Sequence, residues 1–217
     1  RTKKLTKLTP DAGDIVSEPE EFSNDSSALF LTTHEGHDFQ YLVRMDLKSG
    51  AKRTVVKLDW DVSGAGISND GRYLVVGINE DARNRFRLFD ANTLKPVKTP
   101  KMTDGTVAAL TIARNQPLAA MVVANGDVPG DVYSFDLNTG RSTRLLSSLG
   151  PGIAQADLVP GEVVRFKSYD GVTIPGLLYV PRGAKKTGAL PAIVWVHGGP
   201  GGESTIGYAP LVQFLVN

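Results

Sequence analysis

A chain of 217 residues, 41% hydrophobic and 22% charged, is long enough to bury one large or two small cores, and its 23 glycines mark a globular protein rich in turns. A formal net charge of +1 sets up no global field toward nucleic acid or an anionic membrane, and the absence of cysteine excludes disulfides and thiolate metal sites. No apolar run approaches the roughly 18 residues that span a bilayer.

Arg1 to Leu8 interleaves the cations Arg1, Lys3, Lys4 and Lys7 with threonine and leucine, the pattern of a solvated strand or terminus. The chain starts at Arg1 rather than Met and has no signal-like segment. A cleaved leader and a longer N-terminal part both fit, so cytoplasmic and exported (periplasmic) locations stay open.

A repeat follows. Phe22-Ser23-Asn24-Asp25-Ser26-Ser27-Ala28-Leu29-Phe30-Leu31 aligns with Ile67-Ser68-Asn69-Asp70-Gly71-Arg72-Tyr73-Leu74-Val75-Val76, and both align with Ile112-Ala113-Arg114-Asn115-Gln116-Pro117-Leu118, at two intervals of 45 residues. A second marker keeps the beat, with strands closing on Asp46, Asp90 and Asp136. Each unit reads as a polar turn, an apolar strand, an alternating strand ending in Asp, a second turn and a short closing strand: Arg53 to Leu58, Pro96 to Thr99, Ser142 to Leu146. Four short antiparallel strands per 40 to 50 residues is the signature of a β-propeller blade. Residues 1–150 are therefore expected to form a partial β-propeller of about three four-stranded blades, with Arg1 to Leu8 as the last strand of another.

Between Ser147 and Pro160 turn and breaker residues dominate, which sets a domain boundary there. Residues 151–217 then read as hairpin, loop, strand, glycine loop and helix. Alternating segments flank Asp170-Gly171, a hairpin signal. Arg182 to Gly188 reads as an exposed loop, and Leu190 to His197 as a buried parallel strand. The strand stops at His197-Gly198-Gly199-Pro200-Gly201-Gly202, the kind of loop that follows the third strand of α/β-hydrolases and donates a backbone N–H to an oxyanion hole. Tyr208 to Val216 reads as a helix, with Pro210 in its first turn and Leu211, Phe214 and Leu215 on one face. The fold class is thus mixed: a partial propeller, then the N-terminal part of an α/β-hydrolase domain. With so little of the hydrolase sheet present, the apolar strand is expected to lack cover.

Three further patterns carry less. His34-Glu35-Gly36-His37 is H-E-x-H rather than the zinc-binding H-E-x-x-H, and is read as a turn with two ordinary histidines. Gly199 to Gly202 lacks the Gly-Lys-Ser/Thr of a phosphate loop. Asp59-Trp60-Asp61 and Glu80-Asp81-Ala82-Arg83 are candidates for meeting a peptide's charged terminus at a propeller mouth, a minor alternative to plain surface loops. No cofactor and no metal are expected.

A propeller running straight into this α/β start resembles the prolyl oligopeptidase family of serine peptidases, in its acylaminoacyl-peptidase and dipeptidyl-peptidase-like branch. The residues that carry the likeness are Phe166-Lys167-Ser168-Tyr169-Asp170-Gly171, Ile174-Pro175-Gly176, Val180-Pro181 and His197-Gly198-Gly199-Pro200. The resemblance implies hydrolysis of short peptides by a Ser/Asp/His triad on the hydrolase domain, with the propeller filtering substrates. It further implies that the Gly199 N–H holds the oxyanion, that Gly198 shares in the loop and that His197 orients the loop without acting as base. The triad itself is not in this chain: there is no G-x-S-x-G elbow, Gly202-Glu203-Ser204-Thr205-Ile206 lacks the final glycine, and no histidine follows His197. The chain alone is expected to be inactive, with the rest of the same polypeptide as its necessary partner and an oligomer possible. A non-catalytic propeller binding module and an esterase of the α/β-hydrolase class stand as alternatives.

Overall fold

In a computed structural model the described residues are 3, 5–9, 13–99, 105–184, 190–199 and 201–217. Three antiparallel sheets of four strands each are built from consecutive segments. The first comprises β1 (Ser17–Phe22), β2 (Ala28–Thr33), β3 (Tyr41–Asp46) and β4 (Lys52–Val56); the second β5 (Asp61–Ile67), β6 (Tyr73–Glu80), β7 (Arg83–Asp90) and β8 (Pro96–Val97). The third comprises β9 (Thr106–Ile112), β10 (Leu118–Asn125), β11 (Val128–Asp136) and β12 (Ser142–Leu146). The other regular elements among the described residues are a single 3-10 turn (Gln155–Asp157), a two-stranded hairpin of β13 (Glu162–Lys167) with β14 (Thr173–Leu178), and the helix α1 (Pro210–Val216). Each four-stranded meander is a propeller blade, as the 45-residue repeat requires.

Side chains that satisfy turn backbone mark the repeat, at two turns in each of the first two units and at one in the third. In the first turn Ser23 Oγ donates to Asp25 Oδ1 at 2.6 Å and accepts the Ala28 N–H at 2.9 Å. Ser68 does the same with Asp70 at 2.6 Å and the Tyr73 N–H at 3.0 Å. In the third unit Ala113 and Asn115 stand where the serine and aspartate would be, so that pairing is lost. In the second turn Asp46 Oδ1 accepts the N–H of Lys48 and Ser49, Asp90 those of Asn92 and Thr93, and Asp136 those of Asn138 and Thr139. The three strand-ending aspartates are Asx turns.

These bonds favour ionised carboxylates. The Ser23 hydroxyl first, then the Ser27 N–H and hydroxyl, lower Asp25 from 3.8 to about 2. The backbone N–H of Ser49, Thr93 and Thr139 is the main cause of the lowering at Asp46, Asp90 and Asp136. A carboxyl held lower in the folded than in the unfolded state contributes stability that is full above its unfolded value and lost as pH falls through its folded value. We therefore expect the melting temperature to drop as pH is lowered from about 4 toward 2. Asp25→Asn should flatten that drop in a pH-resolved melting series; an identical profile would refute the assignment.

The chain divides into two compact units, one of Arg1–Glu80, Arg85–Thr99 and Ala113–Gln116, the other of Asp81–Asn84, Pro100–Ile112 and Pro117–Asn217. In the first unit Phe30, Leu42 and Val56 of one sheet pack against Val62, Leu74, Val76, Phe89 and Ala91 of the next. The opposite face of the first sheet buries Leu29, Leu31, Tyr41, Val43 and Met45. Strand β2 is buried along its whole length because its alternate residues enter two different cores. Polar ties reinforce the pair: Glu20 accepts from Thr32 Oγ1 at 2.9 Å and from the Ala65 N–H at 3.1 Å.

In the second unit a buried carboxylate braces the third blade. Asp131, 1% exposed, accepts the Ser148 N–H at 2.8 Å and its hydroxyl at 3.0 Å, and pairs with Arg144 at 2.6 Å. Gln213 on α1 is also buried. Its Nε2 donates to the carbonyls of Gly126 and Val159, both at 2.8 Å, and its Oε1 accepts the Val159 N–H at 2.9 Å.

Two segments differ from the sequence reading. Arg1, Thr2 and Lys4 lie outside the described residues, and Leu5 to Leu8 forms no strand; Leu5 is almost fully exposed. A blade's closing strand takes its order from a neighbour's ladder, and no described strand pairs with this segment. Pro191 to His197 likewise forms no ladder, and Val194 is 85% exposed. A parallel strand draws its hydrogen bonds from flanking strands, and none of the described strands lies beside it. On α1 the apolar face of Leu211, Phe214 and Leu215 is exposed, while Gln213 and Val216 are buried. The amide of Gln213 answers backbone groups that a leucine would leave unpaired, and this decides which face turns in. The exposed apolar run should bind an environment-sensitive dye. Substituting Ile193, Val194 and Phe214 by serine should remove most of the fluorescence, and an unchanged signal would contradict the exposure.

Candidate active-site loop

The loop after residue 197 is shaped by glycines that no other residue replaces. Gly199 sits at φ +110°, and a Cβ there would lie 3.1 Å from the Gly202 nitrogen. At Gly202 a Cβ would fall 2.6 Å from the Gly198 carbonyl oxygen, a backbone atom that cannot swing aside. The loop therefore curls on itself, with Gly202 against Gly198. Gly198 itself has open space around its Cα. The His197 ring turns back onto this loop, its Nδ1 3.1 Å from the Gly198 carbonyl oxygen, and is exposed. Pro200 lies outside the described residues. Gly201 to Thr205 are exposed, and the chain is next buried at Ile206, which is 2% exposed. Beyond it α1 opens with Pro210 at its first position, where the missing N–H costs nothing.

The other singled-out groups are occupied elsewhere. A ring nitrogen of His34 lies 3.1 Å from the Asp14 carbonyl oxygen and one of His37 lies 2.9 Å from that of Phe39. Among the described residues no group of three or more His, Cys, Asp or Glu is placed to hold a metal ion. Asp61 accepts the Gln40 N–H at 2.8 Å, and Asp81 pairs with Arg165. Both are used structurally. Sequence reasoning missed Thr106, whose buried hydroxyl donates to the Ile206 carbonyl at 2.8 Å across 100 residues of chain. No local pattern marks such a contact.

Propeller blades followed by a hairpin, a glycine loop and a helix define the class by fold: a β-propeller with a further unit after it. No family model matches the chain. It is 26% identical over 213 residues to dipeptidyl aminopeptidase BIII of Pseudoxanthomonas mexicana, covering 94% of this chain and 30% of that protein. It is 25% identical over 205 residues to dipeptidyl-peptidase 5 of Aspergillus fumigatus, covering 91% and 28%. In fold it matches prolyl oligopeptidase B from Galerina marginata with a TM-score of 0.76 at 17% identity, over 93% of this chain and 28% of that one. A puromycin-hydrolyzing peptidase of Mycobacterium tuberculosis gives 0.68 at 20% identity, over 89% and 31%. The resemblance to the prolyl oligopeptidase family is thereby borne out: the curated relatives are dipeptidyl peptidases, and the fold is that of prolyl oligopeptidases. The chain spans about 30% of the length of the curated relatives it matches.

Proposed function

We propose that this chain is the propeller end and the hydrolase start of a serine peptidase that cleaves short peptides by acyl transfer. In this reading residues 1–150 belong to the propeller that gates access, and residues 151–217 open the hydrolase domain. The Gly199 N–H is one donor of the oxyanion hole, the unencumbered Gly198 lets the loop approach substrate, and His197 orients the loop. Serine, histidine and aspartate come from polypeptide beyond these residues, because no G-x-S-x-G elbow occurs within them.

The observation that carries the proposal is the conformation of Gly199. A positive φ in a loop that folds back on Gly202 is a conformation glycine adopts without strain, and it supports the reading that main-chain N–H groups of this loop meet an oxyanion. The similarity to dipeptidyl peptidases along nearly the whole chain supports the substrate class. The test is an assay of a polypeptide extended past Asn217 to include a serine elbow, with chromogenic dipeptide amides against short-chain esters. Turnover of the amides supports the peptidase. Turnover of esters alone would replace it with an esterase, and no turnover of either would favour a binding module.

A further inference from the structure

Gly198, Gly199, Gly201 and Gly202 have no side chain to pack, so the order of the glycine loop depends on what holds its ends. Its downstream end is Ile206, four residues past Gly202, where both backbone groups are engaged. The Ile206 N–H donates to the Ala82 carbonyl at 2.8 Å, and its carbonyl accepts the Thr106 hydroxyl at 2.8 Å. Thr106 is buried at the start of β9, where its backbone pairs with Ala124 and its side chain is left to serve Ile206.

The acceptor on the other side is held in an unusual way. Asp81 and Ala82 form the two-residue turn between β6 and β7, both with positive φ, +52° and +62°. Asn and Gly are the residues that suit such a turn, and neither is present. The turn is braced instead: the Asp81 carboxylate pairs with Arg165 on β13, and the Asp81 carbonyl accepts from Arg83 Nη1 at 3.2 Å. A strained tip kept in place by a guanidinium is a fixed point, and its carbonyl is aimed at Ile206.

We propose that Thr106 is a positioning residue for the glycine loop, acting through Ile206, with the Asp81–Ala82 turn as the opposite jaw of the clamp. Its catalytic consequence rests on the peptidase reading above; its structural consequence does not. An N–H that is to meet an oxyanion has to be fixed before the reaction, and a loop of glycines loses that fix if one jaw opens.

Hydrogen exchange on the 217-residue chain tests the clamp directly, using Thr106→Val, which keeps the shape and removes the hydroxyl, and Thr106→Ser, which keeps the hydroxyl. We expect the amides of residues 198, 199 and 201–206 to exchange about tenfold faster in Thr106→Val, the weight of one net hydrogen bond, with β10 and β11 unchanged and Thr106→Ser close to the parent. Unchanged exchange in the loop, or equal acceleration throughout the third blade, overturns the clamp. In the extended polypeptide Thr106→Val should lower kcat about tenfold while KM moves less than twofold, and Thr106→Ser should restore it. A faster loop with unaltered kcat overturns the positioning role. If the parent polypeptide hydrolyses no peptide, the peptidase reading fails, and the exchange result still decides the clamp.

Discussion

Gly199→Ala is expected to lower kcat by about 100- to 1000-fold with little change in KM, in a polypeptide long enough to carry the triad. Two effects add. At φ +110° a Cβ is strained by an amount on the order of 1–3 kcal/mol, so the backbone relaxes toward negative φ and turns the N–H away. The new methyl also presses on the Gly202 nitrogen from 3.1 Å, which pushes the return limb of the loop outward. An oxyanion donor contributes in the transition state and hardly in the ground state, so the loss falls on kcat. Gly201→Ala is the control: a Cβ there meets nothing within 4 Å, and its φ is not in the left-handed region. That variant should stay within a few-fold of the parent. Steady-state kinetics on one chromogenic amide compares the two. Equal losses would show that any change in the loop is damaging, and no loss at Gly199 would remove its N–H from the mechanism.

How much of this was legible in the sequence depends on how local the responsible physics is. The blades were readable because Ser23, Asp25, Ser68, Asp70 and the aspartates 46, 90 and 136 bond to backbone two to five residues away, so the reason for each residue is printed beside it. The hairpin around Asp170-Gly171 was readable for the same cause, and β13 pairs with β14 there, Lys167 opposite Thr173, with Gly171 at φ +84°. Pro191 to His197 misled because an apolar, β-branched run reports a preference for burial, while a strand also needs a ladder beside it. The glycine loop itself was visible in the sequence, whereas the clamp on Ile206 joins positions 82, 106 and 206 and leaves no trace in any window of sequence.

Gln213 is the sharpest case of that non-local logic, and it carries the largest stability effect we expect. A hydrophobic-face reading of α1 treats a glutamine between Val212 and Phe214 as solvated. In the structure it is buried, and its one amide group serves three main-chain groups: the Gly126 carbonyl in the β10–β11 turn, and the carbonyl and N–H of Val159 ahead of β13. Gln213→Met keeps the length and most of the volume but offers no comparable donor or acceptor. Three buried backbone groups then lose their partner, at about 1–3 kcal/mol each. Relaxation and water entry recover part of this, so the net loss should be about 3–5 kcal/mol, a large share of a typical folding free energy. Gln213→Glu separates donor from acceptor: a carboxylate still accepts the Val159 N–H but faces two carbonyl oxygens, so it should destabilise too, and less at acid pH where the carboxyl is protonated and regains one donor. Urea unfolding of the three proteins, followed by circular dichroism at neutral and acid pH, reads both effects. A Gln213→Met protein as stable as the parent would mean that water replaces the amide without cost. The three hydrogen bonds would then describe a geometry and not a source of stability.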